Sequence, residues 1–327
     1  MGKILFIGDP HFDSQTPISR IDNYRETTVV KLENLLKLAI DTQAYAVFTT
    51  GDFFNRYDIP ISYINEVMTI LKKFSDNGIK VFSVVGNHDL PHNSIDYFKN
   101  TPLSLLDKSG LVKCLNTYQD SQYKVEFDNT VVYGLSFTKS IDYDIDDKKQ
   151  SILVMHYASE NTVPNESISL DSLKQFNIVV SGHDHMYYEP IENYGVKLFR
   201  PGSFTRRTRD AYNLKREIIV YCYDTISKKM SEHVLSGVLP ATTVFKNDVF
   251  IDKSVDLFSS NYNKLFRSLS LKSGHIDIFD IINDLPASVN SKSIDIVLKY
   301  LSMKGIEKNA NETSSKKTEK MAKDFSI

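Results

Sequence analysis

Apolar and polar positions fall into two alternating rhythms over the first ninety or so residues. Lys3-Ile4-Leu5-Phe6-Ile7 is a short apolar run that predicts a strand, followed by a polar loop through about Asn23. Tyr24 to Asp41 changes to helical spacing, with Val29, Leu32, Leu35, Leu36 and Ala39 on one stripe. Ala46–Thr50 predicts a second strand. Ile64 to Phe74 predicts a second amphipathic helix through Ile64, Val67, Met68 and Leu71, closed by Asp76-Asn77-Gly78. Lys80–Val85 then predicts a third strand. This strand-helix-strand-helix-strand opening implies an α/β unit with right-handed crossovers. Further on, Tyr123–Phe127, Thr130–Leu135, Ile152–His156, Ile178–Ser181, Val196–Arg200 and Glu217–Tyr223 read as strands with few helices between them. That pattern favours a second, partly antiparallel sheet packed on the first.

The polar residues at the ends of these runs change the picture. Five stretches carry them: Gly8-Asp9-Pro10-His11, Gly51-Asp52, Gly86-Asn87-His88-Asp89, Met155-His156-Tyr157 and Gly182-His183-Asp184-His185. The chain has 8 histidines, and five of them lie here. Each stretch alone has an ordinary explanation: Gly-Asp is usually a turn, and His-x-His is usually a surface pair. Together, and after buried strands, they predict a metal centre at strand ends, where chemistry collects in layered α/β proteins. Asp9 and His11, like His183 and His185, are one residue apart and can grip one ion. Asp52 stands alone, as a bridging carboxylate should, and Asn87 offers a neutral oxygen. Such donors suit Mn²⁺, Fe²⁺, Zn²⁺ or Co²⁺. Two ions about 3.5–4 Å apart would clamp a phosphate for in-line attack by water.

Composition narrows the alternatives. At 327 residues the chain can bury a large core, and its formal net charge of −2 excludes a globally basic nucleic-acid binder. No apolar run spans a bilayer and no signal-peptide pattern precedes the first motif, so the expectation is a cytoplasmic protein with no membrane partner. Cys114 and Cys222 read as reduced thiols, not a zinc site. The motifs stop near Ser236, which predicts a catalytic domain over 1–235 and a C-terminal cap or partner-docking region over 236–306. Ser254–Leu271, Ile278–Leu285 and Ile294–Leu301 carry helical patterns there, and the Lys/Ser/Asn-rich 307–327 reads as a disordered tail.

The series D-x-H, GD, GNHD, H and GHDH resembles the calcineurin-like metallophosphoesterases, over roughly residues 1–210. The resemblance implies a four-layer αββα sandwich of two mixed sheets flanked by helices, here with a C-terminal helical extension. It assigns Asp9, His11, Asp52 and His185 to one ion, and Asp52, Asn87, His156 and His183 to the other. It makes His88 a non-ligand facing the scissile phosphate, with Asp89 placed to orient its imidazole. Asp9-Pro10-His11-Phe12-Asp13 and Gly51-Asp52-Phe53-Phe54-Asn55-Arg56 are similar to the opening blocks of SbcD-type DNA-repair exonucleases. That subgroup implies manganese as the preferred metal over Fe²⁺, Zn²⁺ or Mg²⁺. It also implies 3′→5′ exonuclease and single-strand endonuclease activity, a coiled-coil ATPase partner of the SbcC type, and a homodimer. Some members have histidine where this chain has Asn55, which keeps hydrogen bonding to substrate but not charge. Arg206 and Arg207, with Arg200 and Arg209, are further substrate candidates after the His183 loop; Arg20 and Arg25 are weaker ones. The Lys/Asn/Ile/Ser-rich make-up points to a phage or an AT-rich bacterium as the source. The competing activity is a phosphatase or phosphodiesterase acting on a small molecule or phosphoprotein.

Overall fold

The apolar runs fold into two six-stranded sheets. The protein's structure, a computed structural model, describes residues 2–246 apart from 118–121, 141–142, 161 and 164–165. In chain order the elements are β1 (Lys3–Ile7), α1 (Tyr24–Asp41), β2 (Ala44–Thr49), α2 (Ile61–Asp76), β3 (Lys80–Ser83), α3 (Pro102–Lys108), β4 (Lys113–Cys114), β5 (Lys124–Phe127), β6 (Thr130–Leu135), β7 (Gln150–Met155), β8 (Ala158–Ser159), β9 (Ser167–Ile168), β10 (Ile178–Ser181), β11 (Tyr188–Asn193), β12 (Val196–Arg200), β13 (Ile219–Asp224), β14 (Lys229–Val234) and α4 (Ala241–Val244). The first sheet has the order β14-β13-β1-β2-β3-β4, and the second β11-β12-β10-β7-β6-β5. Both are mixed. β1 to β4 run parallel; β13 pairs antiparallel with β1, and β14 antiparallel with β13. β6, β7, β10 and β12 run parallel, with β5 and β11 antiparallel at the two edges.

Side-chain alternation along the strands builds the layers. In β1, Leu5 and Ile7 join Leu32, Leu35, Val67 and Leu71 in the core beneath α1 and α2. Ile4 and Phe6 point the other way and meet Val154 and Val180 of the second sheet. Phe48 anchors this middle layer, stacking on Phe82 with centroids 4.7 Å apart. The outer face of the second sheet, through Tyr133, Leu153, Val179 and Leu198, is covered by the 3₁₀ turn Leu170–Leu173 and by tyrosine-bearing loops. α1 spans the predicted residues, with the Asn23 side chain accepting from the Glu26 N–H at its start.

The packing continues past β14. Ala241, Val244 and Phe245 are buried, and Phe245 bridges to Arg20. The helical patterns at Ser254–Leu271, Ile278–Leu285 and Ile294–Leu301, and the tail 307–327, lie outside the described residues. Among the described residues, no helix is long and apolar enough to cross a membrane.

Candidate metal centre

Five parallel strands place the motif residues. Asp9 follows β1, Asp52 follows β2, Asn87 follows β3, His156 follows β7, and His183 and His185 follow β10. Three of these residues hold left-handed backbone: His11 at φ 47°, Asp52 at φ 46° and His183 at φ 70°. Such conformations are uncommon for side-chain-bearing residues, cost of order 1–3 kcal/mol each, and cluster at functional sites. The motif glycines have a steric origin. A Cβ on Gly86 would lie 2.0 Å from Asp52 Oδ1, and one on Gly182 would lie 2.3 Å from Asp9 Oδ1.

Asp9, His11, Asp52 and His185 offer donor atoms that all lie within 4.8 Å of one another. The His11 and His185 Nε2 atoms are 2.8 Å apart. Asp9 is fixed at both oxygens: Thr50 Oγ1 donates to Oδ1 at 2.5 Å and the His183 N–H to Oδ2 at 2.8 Å. Burial first, and then the neighbouring Asp52 charge, push the Asp9 carboxyl well above its usual range. A divalent cation relieves both effects, so the donor set fits the metal that the motifs imply.

A second group adjoins the first. His156 Nδ1 donates to the Thr50 carbonyl at 2.8 Å, which turns Nε2 toward Asn87 Oδ1 at 3.0 Å. The same Nε2 lies 3.4 Å from Asp52 Oδ1 and 3.3 Å from His183 Nδ1. The other Asp52 oxygen, Oδ2, faces His11 Nε2 at 3.5 Å. One Asp52 oxygen therefore faces each group, the arrangement a bridging carboxylate requires. Burial takes His156 down to about 4, which favours the neutral imidazole that a metal needs.

His88 stands beside this cluster with its ring perpendicular to His11, centroids 4.9 Å apart. Its backbone N–H donates to Asp52 Oδ1 at 2.9 Å. The expectation that Asp89 orients the His88 ring is corrected: His88 Nδ1 donates instead to the Asn55 carbonyl at 2.7 Å. Asp89 is buried and accepts from the backbone N–H groups of Phe53, Phe54 and Gly86. It buckles the Asp52 loop to the Asn87 loop. The Asn55 side chain is turned away from the expected substrate role, donating to Asp13 Oδ2 at 2.7 Å.

The arginines divide. Arg206 is 8% exposed, and its terminal nitrogens donate to the Leu239 and Arg216 carbonyls, so it braces the loop and does not present itself to substrate. Arg20 is held by Asp22 and the Arg206 carbonyl, Arg25 by Glu66, and Arg200 lies over the Tyr188 ring. Arg207 differs. Its Nε, like those of Arg200 and Arg206, is buried with no partner. It also acts on the site: His11 is held well below its usual range by burial first, then by His185, His88 and Arg207.

Two acidic residues escaped the motif reading. Asp13 is 2% exposed and holds both Asn55 and Arg56. Glu166 Oε2 lies 2.5 Å from His183 Nε2. Lone acids in polar loops carry no spacing signal, and only the folded proximity reveals them.

The sequence model of the calcineurin-like phosphoesterases matches residues 2–187. The chain belongs to that family, and its fold and donor cluster make it a metal-dependent phosphoesterase. It is similar to the DNA double-strand break repair protein Mre11 of Methanococcus maripaludis, 25% identical over 290 residues, 82% of this chain and 74% of that protein. The Mre11 of Saccharolobus solfataricus is 24% identical over 277 residues, 81% of this chain and 68% of that protein. A crystal structure of a dimetal phosphatase from Danio rerio is similar with a TM-score of 0.46 and 12% identity, covering 72% of this chain and 99% of that one.

Proposed function

We propose that this chain is a two-metal DNA phosphodiester hydrolase, an SbcD-type exonuclease subunit that works with an SbcC-type coiled-coil ATPase in DNA repair, recombination or replication. The reading as a DNA enzyme rests on similarity to the two Mre11 double-strand break repair proteins, which spans more than four-fifths of the chain and extends past the ligand blocks. Two divalent ions, Mn²⁺ by preference, supply charge to neutralise the phosphodiester and to acidify the attacking water. Asp9, His11, Asp52 and His185 hold one of them, and Asp52, Asn87, His156 and His183 the other. His88 binds neither. Its Nδ1 proton is committed to the Asn55 carbonyl, so in the imidazolium form the ring hands its Nε2 proton to the leaving sugar oxygen and is left neutral with the Nδ1 proton in place. Arg207 steadies a backbone phosphate beside His11 without reading sequence.

End-labelled duplex DNA digested with Mn²⁺, beside His88→Asn and a small bis-ester phosphodiester, tests this. Degradation that falls at least 100-fold in His88→Asn, with two ions still bound, is the expected result. Cleavage of the ester with DNA untouched, alone and with the ATPase present, rejects the nuclease in favour of a small-molecule phosphodiesterase.

A further inference from the structure

The loop after β7 supplies more than His156. Two residues beyond that histidine the chain enters β8, which pairs with β9 in a two-stranded sheet. Glu166 immediately precedes β9. Its carbonyl accepts the Ala158 N–H at 3.1 Å, and its own N–H donates to the Val163 carbonyl at 3.3 Å. Ser167 Oγ adds a bond to the same Val163 carbonyl at 2.6 Å. The Glu166 backbone is thus tied on both sides of the loop. The side chain reaches His183, which is 11% exposed, and Oε2 takes up its Nε2 at 2.5 Å. A carboxylate only accepts, so the imidazole proton sits on Nε2 and the lone pair on Nδ1. That Nδ1 is the atom facing His156 Nε2 at 3.3 Å, inside the second ligand group. Phe137 lies 6.0 Å from the His183 ring in a tilted contact.

We propose that Glu166 is a positioning residue that selects the His183 tautomer and aims Nδ1 at the second ion. Partners of this kind outside the ligand set orient metal-bound histidines, and their loss costs about 10–100-fold in metal affinity. The proposal rests on the reading of a two-ion centre, but on no assumption about substrate. The centre thereby depends on a residue that none of the ligand motifs contains.

Titration of the full chain with Mn²⁺, followed by calorimetry and by the EPR signal of free Mn²⁺, reads each site separately. Glu166→Ala should weaken the second ion by about 10–100-fold and leave the first, held by Asp9, His11, Asp52 and His185, within about threefold. Glu166→Gln keeps a neutral acceptor and should fall between Glu166→Ala and the parent. In a His183→Ala background, Glu166→Ala should add nothing, because the imidazole it acts through is gone. Two ions bound with parental affinity in Glu166→Ala overturn the proposal. Equal weakening of both ions, or an additive loss in the His183→Ala background, overturns it too, since either makes Glu166 a general support of the fold. A chain that binds no Mn²⁺ at the second site before any substitution defeats the two-ion reading instead.

Discussion

Replacing Asp89 with asparagine separates two accounts of that residue. As a buckle, Asp89 Oδ2 accepts from Gly86 N–H at 2.9 Å and Phe53 N–H at 3.2 Å, and Oδ1 accepts from Phe54 N–H at 3.0 Å. All of the bonds are to backbone donors, and the residue is 1% exposed. Asparagine keeps one acceptor oxygen. If that oxygen takes the Oδ2 position, the new amide nitrogen faces the Phe54 N–H, leaving a buried donor without an acceptor and adding another. A buried donor left unsatisfied costs about 1–3 kcal/mol, so Asp89→Asn should lose about 2–4 kcal/mol. Urea unfolding of the full chain in chelator measures this without the stabilisation that bound metal adds. The midpoint should fall with the slope unchanged. The alternative account makes Asp89 the partner of the His88 ring. A variant whose stability moves by less than about 1 kcal/mol while turnover collapses would refute the buckle.

Two further outcomes test the surroundings of the site. Lys31 is 3% exposed and donates to the Phe204 carbonyl at 3.3 Å; burial first, then Arg20, Arg216 and Arg206, hold its pKa well below the usual 10.5. Between that depressed value and 10.5 the unfolded chain binds the proton and the folded chain does not, so stability rises with pH across the window, by at most about 1.4 kcal/mol per pH unit. Lys31→Met should lose that slope and gain about 1–3 kcal/mol at neutral pH by denaturant melting, whereas a loss of stability would show the ammonium to be well compensated. Arg207→Ala should weaken DNA binding, lower the salt dependence by about one phosphate contact and leave Mn²⁺ stoichiometry alone; an unchanged salt slope removes Arg207 from the DNA path.

Much of the architecture was legible because burial imposes a period. The stripe from Val29 to Ala39 marks α1, and fully buried strands such as β6 and β10 are continuous apolar runs. The strands that escaped notice have reasons. β11, Tyr-Glu-Pro-Ile-Glu-Asn, and β14, Lys-Met-Ser-Glu-His-Val, lie at sheet edges and are largely exposed, so neither carries an apolar signature. β4, β8 and β9 are 2 residues each, too short for any period. The candidate donor cluster was visible because its packing restricts what stands next to it, as Gly86 and Gly182 show. Orientation was not visible. The partner of His88 is a backbone carbonyl, which every residue has, and Arg206 looked like a phosphate contact because arginine satisfies carbonyls and phosphates with the same donors.

The donor atoms hang from two different sheets. Asp9, His11, Asp52 and Asn87 follow strands of one, and His156, His183 and His185 follow strands of the other. The centre is therefore a seam, and the alignment of the two halves is set at a distance by Ile4, Phe6, Phe48, Val154 and Val180 between the layers. A shift of one layer against the other by a fraction of an ångström misaligns donors that no substitution has touched. The interior hydrocarbon of this protein would work as the jig for coordination at the proposed centre. Variation there should surface as altered metal selectivity well before it surfaces as unfolding.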